Sequence, residues 1–298
     1  MRVSIRPWLL YFALISSGAG AQMIVHNDEH LAADRPEAWA MNYVTASTFM
    51  TAFGESPPLA PGQWSIAAEL GLIPRLSDTQ QRVAFNGFQD ADLNKSPVFG
   101  RLRLTAGLQA GWFAELGYSP ELVINGSRPR DLFALAVGHR LFEWRRWAVS
   151  MRAFGQHGAA EGDITCPSPL ADIADLQKNP SGCKAPSDDR IALNYYGADV
   201  TAAWHFEPWS LYADFGAVRT EPVVQVDALV FSLHDRSRLT ARDVLPYVAI
   251  GASHDFGTHW TVGAEALYVP LAVRRDSNRD REQDPFTSVR LLVRYRMN

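Results

Sequence analysis

The chain has 298 residues, of which 47% are hydrophobic and 20% charged, with a formal net charge of −4. That charge speaks against a nucleic-acid partner. The mean hydropathy of −0.13, with no apolar run approaching the roughly 20 residues of a spanning helix, excludes a helical membrane protein.

Residues 1–21 read as a secretory signal peptide. Arg2 and Arg6 form a basic start, Trp8 to Ile15 a short apolar run, and Ala19-Gly20-Ala21 a small-residue cleavage site. Residues 22–62 form a separate N-terminal segment, expected to plug a barrel or rest beneath it. Its first part, His26 to Glu37, is polar. In its second part Trp39, Tyr43, Ala46, Met50 and Phe53 recur at three- and four-residue steps, the period of a helix. The same stretch is rich in Thr and Val, so an extended form is also open. Pro57, Pro58, Pro61 and Gly62 then end it.

From residue 63 to the end, apolar and polar residues alternate in ten short stretches, at residues 63–73, 98–108, 111–118, 131–141, 147–155, 191–206, 209–220, 244–256, 260–270 and 287–298. Strict alternation places every second side chain on one face of a strand. In the last stretch Val289, Leu291, Val293, Tyr295 and Met297 share one face, and Ser288, Arg290, Arg294 and Arg296 the other. The joins alternate as well. Residues 109–110, 142–146, 207–208 and 257–259 are short; 74–97, 119–130, 156–190, 221–243 and 271–286 are long. A twelve-strand count would need further strands at residues 42–53 and 223–233 and ranks second. Trp64, Trp112, Trp147, Trp209 and Trp260 all fall at strand ends that meet short turns, where amphipathic rings settle at a membrane interface.

This pattern resembles the bacterial outer-membrane β-barrel class as a whole. The resemblance implies an all-β fold: a single antiparallel transmembrane barrel domain over residues 63–298, with short periplasmic turns, long extracellular loops and both termini periplasmic. It implies outer-membrane lipids and the barrel-assembly machinery as partners. The C-terminus departs from the class habit of ending on an aromatic residue, since Tyr295 is followed by Arg296, Met297 and Asn298.

Cys166 and Cys183 lie in one long loop of an exported chain, so a disulfide between them is expected. The faces predicted to point into the lumen carry Arg103, Arg140, Arg152, Arg290, Arg294 and Arg296 against Glu69, Glu115, Asp199, Asp214 and Glu265. Signs so matched suggest an ion-paired network that fills a narrow bore. Read functionally, the same Arg rows could select anionic solutes. No cofactor fingerprint is present, and none is expected.

The leading functional expectation is a narrow channel or small-solute passage protein whose lumen charges gate or seal it. A surface hydrolase is the alternative. The chain is similar in strand number and size to the omptin family of surface proteases, which use acidic and His residues at the outer rim. Here the rim loops offer His157, Glu161 and Asp163, then His234, Asp235 and Asp243, and Asp90 with Asp92. Ser253 and His254 are adjacent on a strand and face opposite ways, so they form no dyad. A third class is a structural or adhesive barrel. The N-terminal segment is similar in position to the hatch of long-chain fatty acid transporters. His26 and His30 would share a face on a helix and could hold a metal.

Overall fold

A computed structural model describes residues 23–54, 59–275 and 280–297. The proposed signal peptide lies outside them. Ten strands form the wall: β1 (Trp64–Leu72), β2 (Val98–Gly107), β3 (Trp112–Ser119), β4 (Arg128–Trp144), β5 (Trp147–Gly162), β6 (Tyr195–Phe206), β7 (Trp209–Thr220), β8 (Asp243–Phe256), β9 (Trp260–Val269) and β10 (Phe286–Met297). Each pairs antiparallel with its neighbours in sequence, and β10 returns to β1 through the register Leu291↔Leu70. Closure gives every strand two neighbours, the condition for strands to cross a bilayer with their backbone groups satisfied. No helix among the described residues is long and apolar enough to cross a membrane.

The ten strands follow the alternation. The pattern in β1 is strict: Trp64, Ile66, Leu70 and Leu72 are exposed, while Ser65, Ala67 and Glu69 are buried. Apolar residues outward and polar residues inward invert a soluble core, which identifies the outer face as a lipid face. The five tryptophans at the starts of β1, β3, β5, β7 and β9 are each 46–49% exposed and lie at the end with the short turns. The two stretches that a twelve-strand count would need, residues 42–53 and 223–233, add no strand to the barrel wall. Pro36–Ser47 is a helix, α1, and Val223–Gln225 and Ala228–Val230 are short strands in a long loop.

Several strands run beyond the predicted ends. β4 and β5 continue past the barrel proper as far as the pair Arg128↔Glu161. At the long-loop end β5 pairs with Asp189–Ala192, which pairs with Val223–Gln225, then Arg238–Thr240, then Asp28–His30. The disulfide Cys166–Cys183 forms there. The start of the described chain therefore sits among the long loops, where Met23–Val25 pairs with Leu233–Asp235. The ends of the barrel itself, Trp64 and Met297, pair with each other at the opposite, short-turn end. From the long loops the chain enters the barrel as α1, continues through the lumen as an extended segment, and leaves at the short turns, where Gly62 N–H bonds the carbonyl of Gly107.

The helix α1 has Pro36 at its first position, where a missing N–H costs nothing. Nearly every residue in it is buried, with no solvent face. It therefore packs on all sides against barrel and loops. Tyr43 lies 5.0 Å from Phe286, edge to face, and 5.3 Å from Trp39. Its polar groups are answered locally: Thr45 and Ser47 hydroxyls donate to the carbonyls of Met41 and Val44, and Thr220 donates to Asn42 at 2.9 Å.

Candidate functional site: a threaded, charge-lined lumen

After Ser47 the chain can no longer satisfy its own backbone, since it is neither helix nor strand. An unpaired peptide group buried in a lumen is costly. The barrel wall supplies the partners. Arg101 donates to Thr48 O at 2.6 Å, Arg290 to Phe49 O at 2.6 Å, Arg152 to Met50 O at 2.9 Å and Arg103 to Thr51 O at 2.9 Å. Arg290 also reaches the carbonyls of Ala46 and Ser47, both at 3.3 Å. The amides are met as well: Met50 N–H donates to Tyr195 Oη at 2.9 Å and Ala52 N–H to Asp214 at 3.1 Å. Thr51 Oγ1 donates to Glu265 at 2.6 Å.

Carboxylates hold the guanidinium groups in turn. Glu69 lies 3.3 Å from Arg103, 3.6 Å from Arg290 and 3.7 Å from Arg101. Glu115 pairs with Arg103 at 2.5 Å and stands 3.5 Å from Arg152, which also pairs with Asp199 at 2.5 Å. Tyr247 Oη donates to Asp199, and Tyr212 Oη to Glu265. The network thus unites eight of the proposed lumen charges, Glu69, Arg103, Glu115, Arg152, Asp199, Asp214, Glu265 and Arg290, around one stretch of chain. Such a network is high-stakes in low dielectric: complete, it fixes one arrangement; incomplete, it is a liability.

The other three stand apart. A bulge in β4 between Arg140 and Phe142 turns Arg140 to the short-turn mouth, near Glu143 at 3.1 Å. Arg296 pairs with Asp255 at 2.5 Å in the same mouth. Arg294 is buried just inside it. The sequence reading passed over Arg101, although it precedes Arg103 by two residues and so shares its face. It also passed over Tyr195, Tyr212 and Tyr247, which alternation places on the inner face with Asp199, with Asp214 and opposite Val248, and Gln156, which lies just past the predicted end of its strand.

The rim candidates do not converge. Asp163 accepts from Lys95 at 2.8 Å and from the amide and hydroxyl of Ser168 at 2.6 Å each. Burial opposes ionisation of this pair, yet the hydrogen bonds outweigh it, so Asp163 is held below the usual carboxylate range and Lys95 above the usual amine range. His234 bonds Asp227, Asp235 caps Ser237 and Asp90 meets Arg82. Asp28–His30 is extended rather than helical, with His30 on Thr240 and Asp28 on Arg238, so the one-turn spacing that would bring His26 and His30 together on a metal does not arise. No cluster of three metal-ligating side chains occurs among the described residues.

Beside the threaded segment the wall is incomplete. β2 pairs with β3 only from Leu102 onward, and β3 ends at Ser119, followed by Pro120. Residues 98–101 of β2 and 128–131 of β4 therefore face each other with no strand between. A cavity of about 370 Å³ fills this gap. Its lining includes the lipid-facing Leu70 and Leu102 together with Val44 and Thr48 of the threaded segment. A second cavity of about 210 Å³ under the long loops shares Val44, Leu93, Ile164 and Ile191 with the first.

No protein-family model matches the chain, and no curated relative matches it. Among solved structures it is similar to the translocator domain of the autotransporter NalP from Neisseria meningitidis (10% identity, 81% of this chain and 90% of that one, TM-score 0.40). It is also similar to the outer membrane protease OmpT from Escherichia coli (11%, 79% and 92%, 0.36) and to the toluene transporter TodX from Pseudomonas putida (9%, 80% and 90%, 0.31). At such identities these likenesses assign no activity. The ten-stranded closed wall, its apolar outer face and its tryptophan belt make the chain an outer-membrane β-barrel protein.

Proposed function

We propose that this is a passage protein for a small apolar solute, and not an enzyme. The solute's route runs beside the threaded segment through the gap in the wall, and not through a water-filled bore. The observation that carries the reading is the cavity of about 370 Å³, bounded on one side by lipid-facing Leu70 and Leu102 and on the other by Val44 and Thr48 inside the barrel. A concave, mostly apolar site with a few placed polar groups suits a small hydrophobic ligand. The adjoining cavity under the long loops extends the route toward the end that, by the short-turn rule, faces outward. The network around residues 46–53 closes the axial path to ions.

The test is the rate at which an apolar fluorophore, 1-N-phenylnaphthylamine, enters vesicles with a lipopolysaccharide outer leaflet. The intact barrel should speed entry over protein-free vesicles while remaining silent in planar-bilayer conductance. Ala160→Trp, which fills the cavity, should return the rate toward the protein-free value. Equal rates with and without the protein, or steady ionic conductance, would count against the reading.

A further inference from the structure

The short-turn mouth contains a further cavity, of about 700 Å³, at the opposite end from the two beside and above the threaded segment. Five arginines line it, Arg140, Arg145, Arg146, Arg294 and Arg296, against the carboxylates Glu143, Glu207 and Asp255. Two of those carboxylates are already engaged, Glu143 by Arg140 and Asp255 by Arg296.

Arg294 is the anomaly. Every other fully buried lumen arginine, Arg101, Arg103, Arg152 and Arg290, has a carboxylate within 3.7 Å. Arg294 is 5% exposed and has neither an ion pair nor a hydrogen bond among the described residues; its Nε is buried without an acceptor. Removing a cation from water without a counter-charge is among the costliest arrangements a fold can keep. The other buried lumen arginines each have a carboxylate within ion-pair distance, even where a single nitrogen is left unbonded, so a guanidinium with no such pair at the edge of a roomy basic cavity points to an anion that arrives from outside.

We propose that the short-turn mouth binds a phosphate-bearing small molecule, with Arg294 as the anchoring guanidinium. Arg294 and Arg296 are two apart on β10 and so share its inner face. Arg296 also keeps an unbonded Nε. Ser210 and Ser253 face each other across β7 and β8 on the cavity wall. A tetrahedral oxyanion offers oxygens in several directions at once, and can take a guanidinium fork on one side and hydroxyls on another. A planar carboxylate cannot serve both sets equally.

The experiment is calorimetric titration of the whole barrel, folded in micelles, with inorganic phosphate and separately with sn-glycerol 3-phosphate, at constant ionic strength and with acetate as control. Both phosphates should bind, with acetate weaker. Arg294→Gln should weaken them by about tenfold or more, while Arg128→Gln at the far end changes nothing. Arg146→Gln, on the exposed turn, should weaken binding several-fold and serves if the Arg294 variant fails to fold. Repeating the titration in nanodiscs separates the sources. Weaker apparent affinity in phosphatidylglycerol than in phosphatidylcholine marks a lipid headgroup as the natural occupant; equal affinity marks a free solute. Absence of phosphate binding, acetate binding equal to phosphate, or unchanged affinity in both arginine variants would overturn the proposal.

Discussion

Arg290→Gln tests whether side chains of the wall, and not strand pairing, hold the threaded segment. Arg290 is fully buried and donates to Phe49 O at 2.6 Å and to Ser47 O and Ala46 O at 3.3 Å. These losses are unequal. Ala46 O also accepts from Phe49 N–H, so it stays satisfied. Phe49 O would keep only a 3.5 Å contact from Arg101. Ser47 O would have no donor among the described residues. Two buried carbonyls left short at about 1–3 kcal/mol each give a loss of roughly 2–6 kcal/mol in the hold on residues 46–53. Glu69 would retain Arg103 at 3.3 Å and Arg101 at 3.7 Å, so the wall itself should stay closed. Hydrogen–deuterium exchange reads this locally. If the amides of Met50 and Ala52 exchange by release of the segment, their rates should rise by roughly 30- to 20,000-fold, since each 1.4 kcal/mol is a factor of ten. Peptides from β4 and β5 should not change. Arg290→Lys should behave nearly as badly, because one ammonium cannot span three carbonyls. Unchanged exchange over 46–53 in a folded Arg290→Gln barrel would refute the argument.

Three other outcomes follow from the loops and the wall. Replacing Cys166 and Cys183 by Ser releases a crosslink with a sequence separation of 17, worth about 3 kcal/mol in the chain-entropy account. Limited proteolysis should then cut residues 166–183 faster while the barrel core survives. Asp163→Asn removes the Lys95 ion pair and should loosen the same loop by about 1–3 kcal/mol at neutral pH. The folded Asp163 titrates below its unfolded value, so its contribution is full above about pH 4 and is lost as pH falls through the folded value. The protease sensitivities of wild type and variant should converge on acidification, and a gap that persists at low pH would contradict the assignment. Gly251→Ala places a methyl group against the Tyr212 ring, which lies over this glycine and donates to Glu265. Heat-induced loss of compact gel migration should come earlier in this variant, consistent with an overpacking cost of about 1–3 kcal/mol.

Much of the wall was legible because a lipid-facing strand can be written only one way. Leu70, Leu102, Val137 and Leu291 had to alternate with Glu69, Arg103 and Arg290, and the five tryptophans mark one interface by their positions in the chain alone. Alternation also placed eight charged residues in one lumen, and a shared loop brought the two cysteines together. The path of residues 23–62 was not legible. Its periodicity allowed helix or strand, and nothing local distinguishes a plug that enters from the long-loop end from one resting beneath the barrel. That choice depends on partners more than 100 residues away in sequence: Tyr195 and Arg152 for Met50, Asp214 for Ala52, Arg238–Thr240 for Asp28–His30. Nor does a charged lumen residue declare whether it will meet a carboxylate, a backbone carbonyl or nothing. Arg290, Arg294 and Arg296 share one strand face, yet the first grips the threaded chain, the third pairs with Asp255, and the second has no hydrogen bond or ion pair among the described residues. The local pattern determines which face a side chain takes; only closure of the barrel around its own N-terminal segment decides what it finds there.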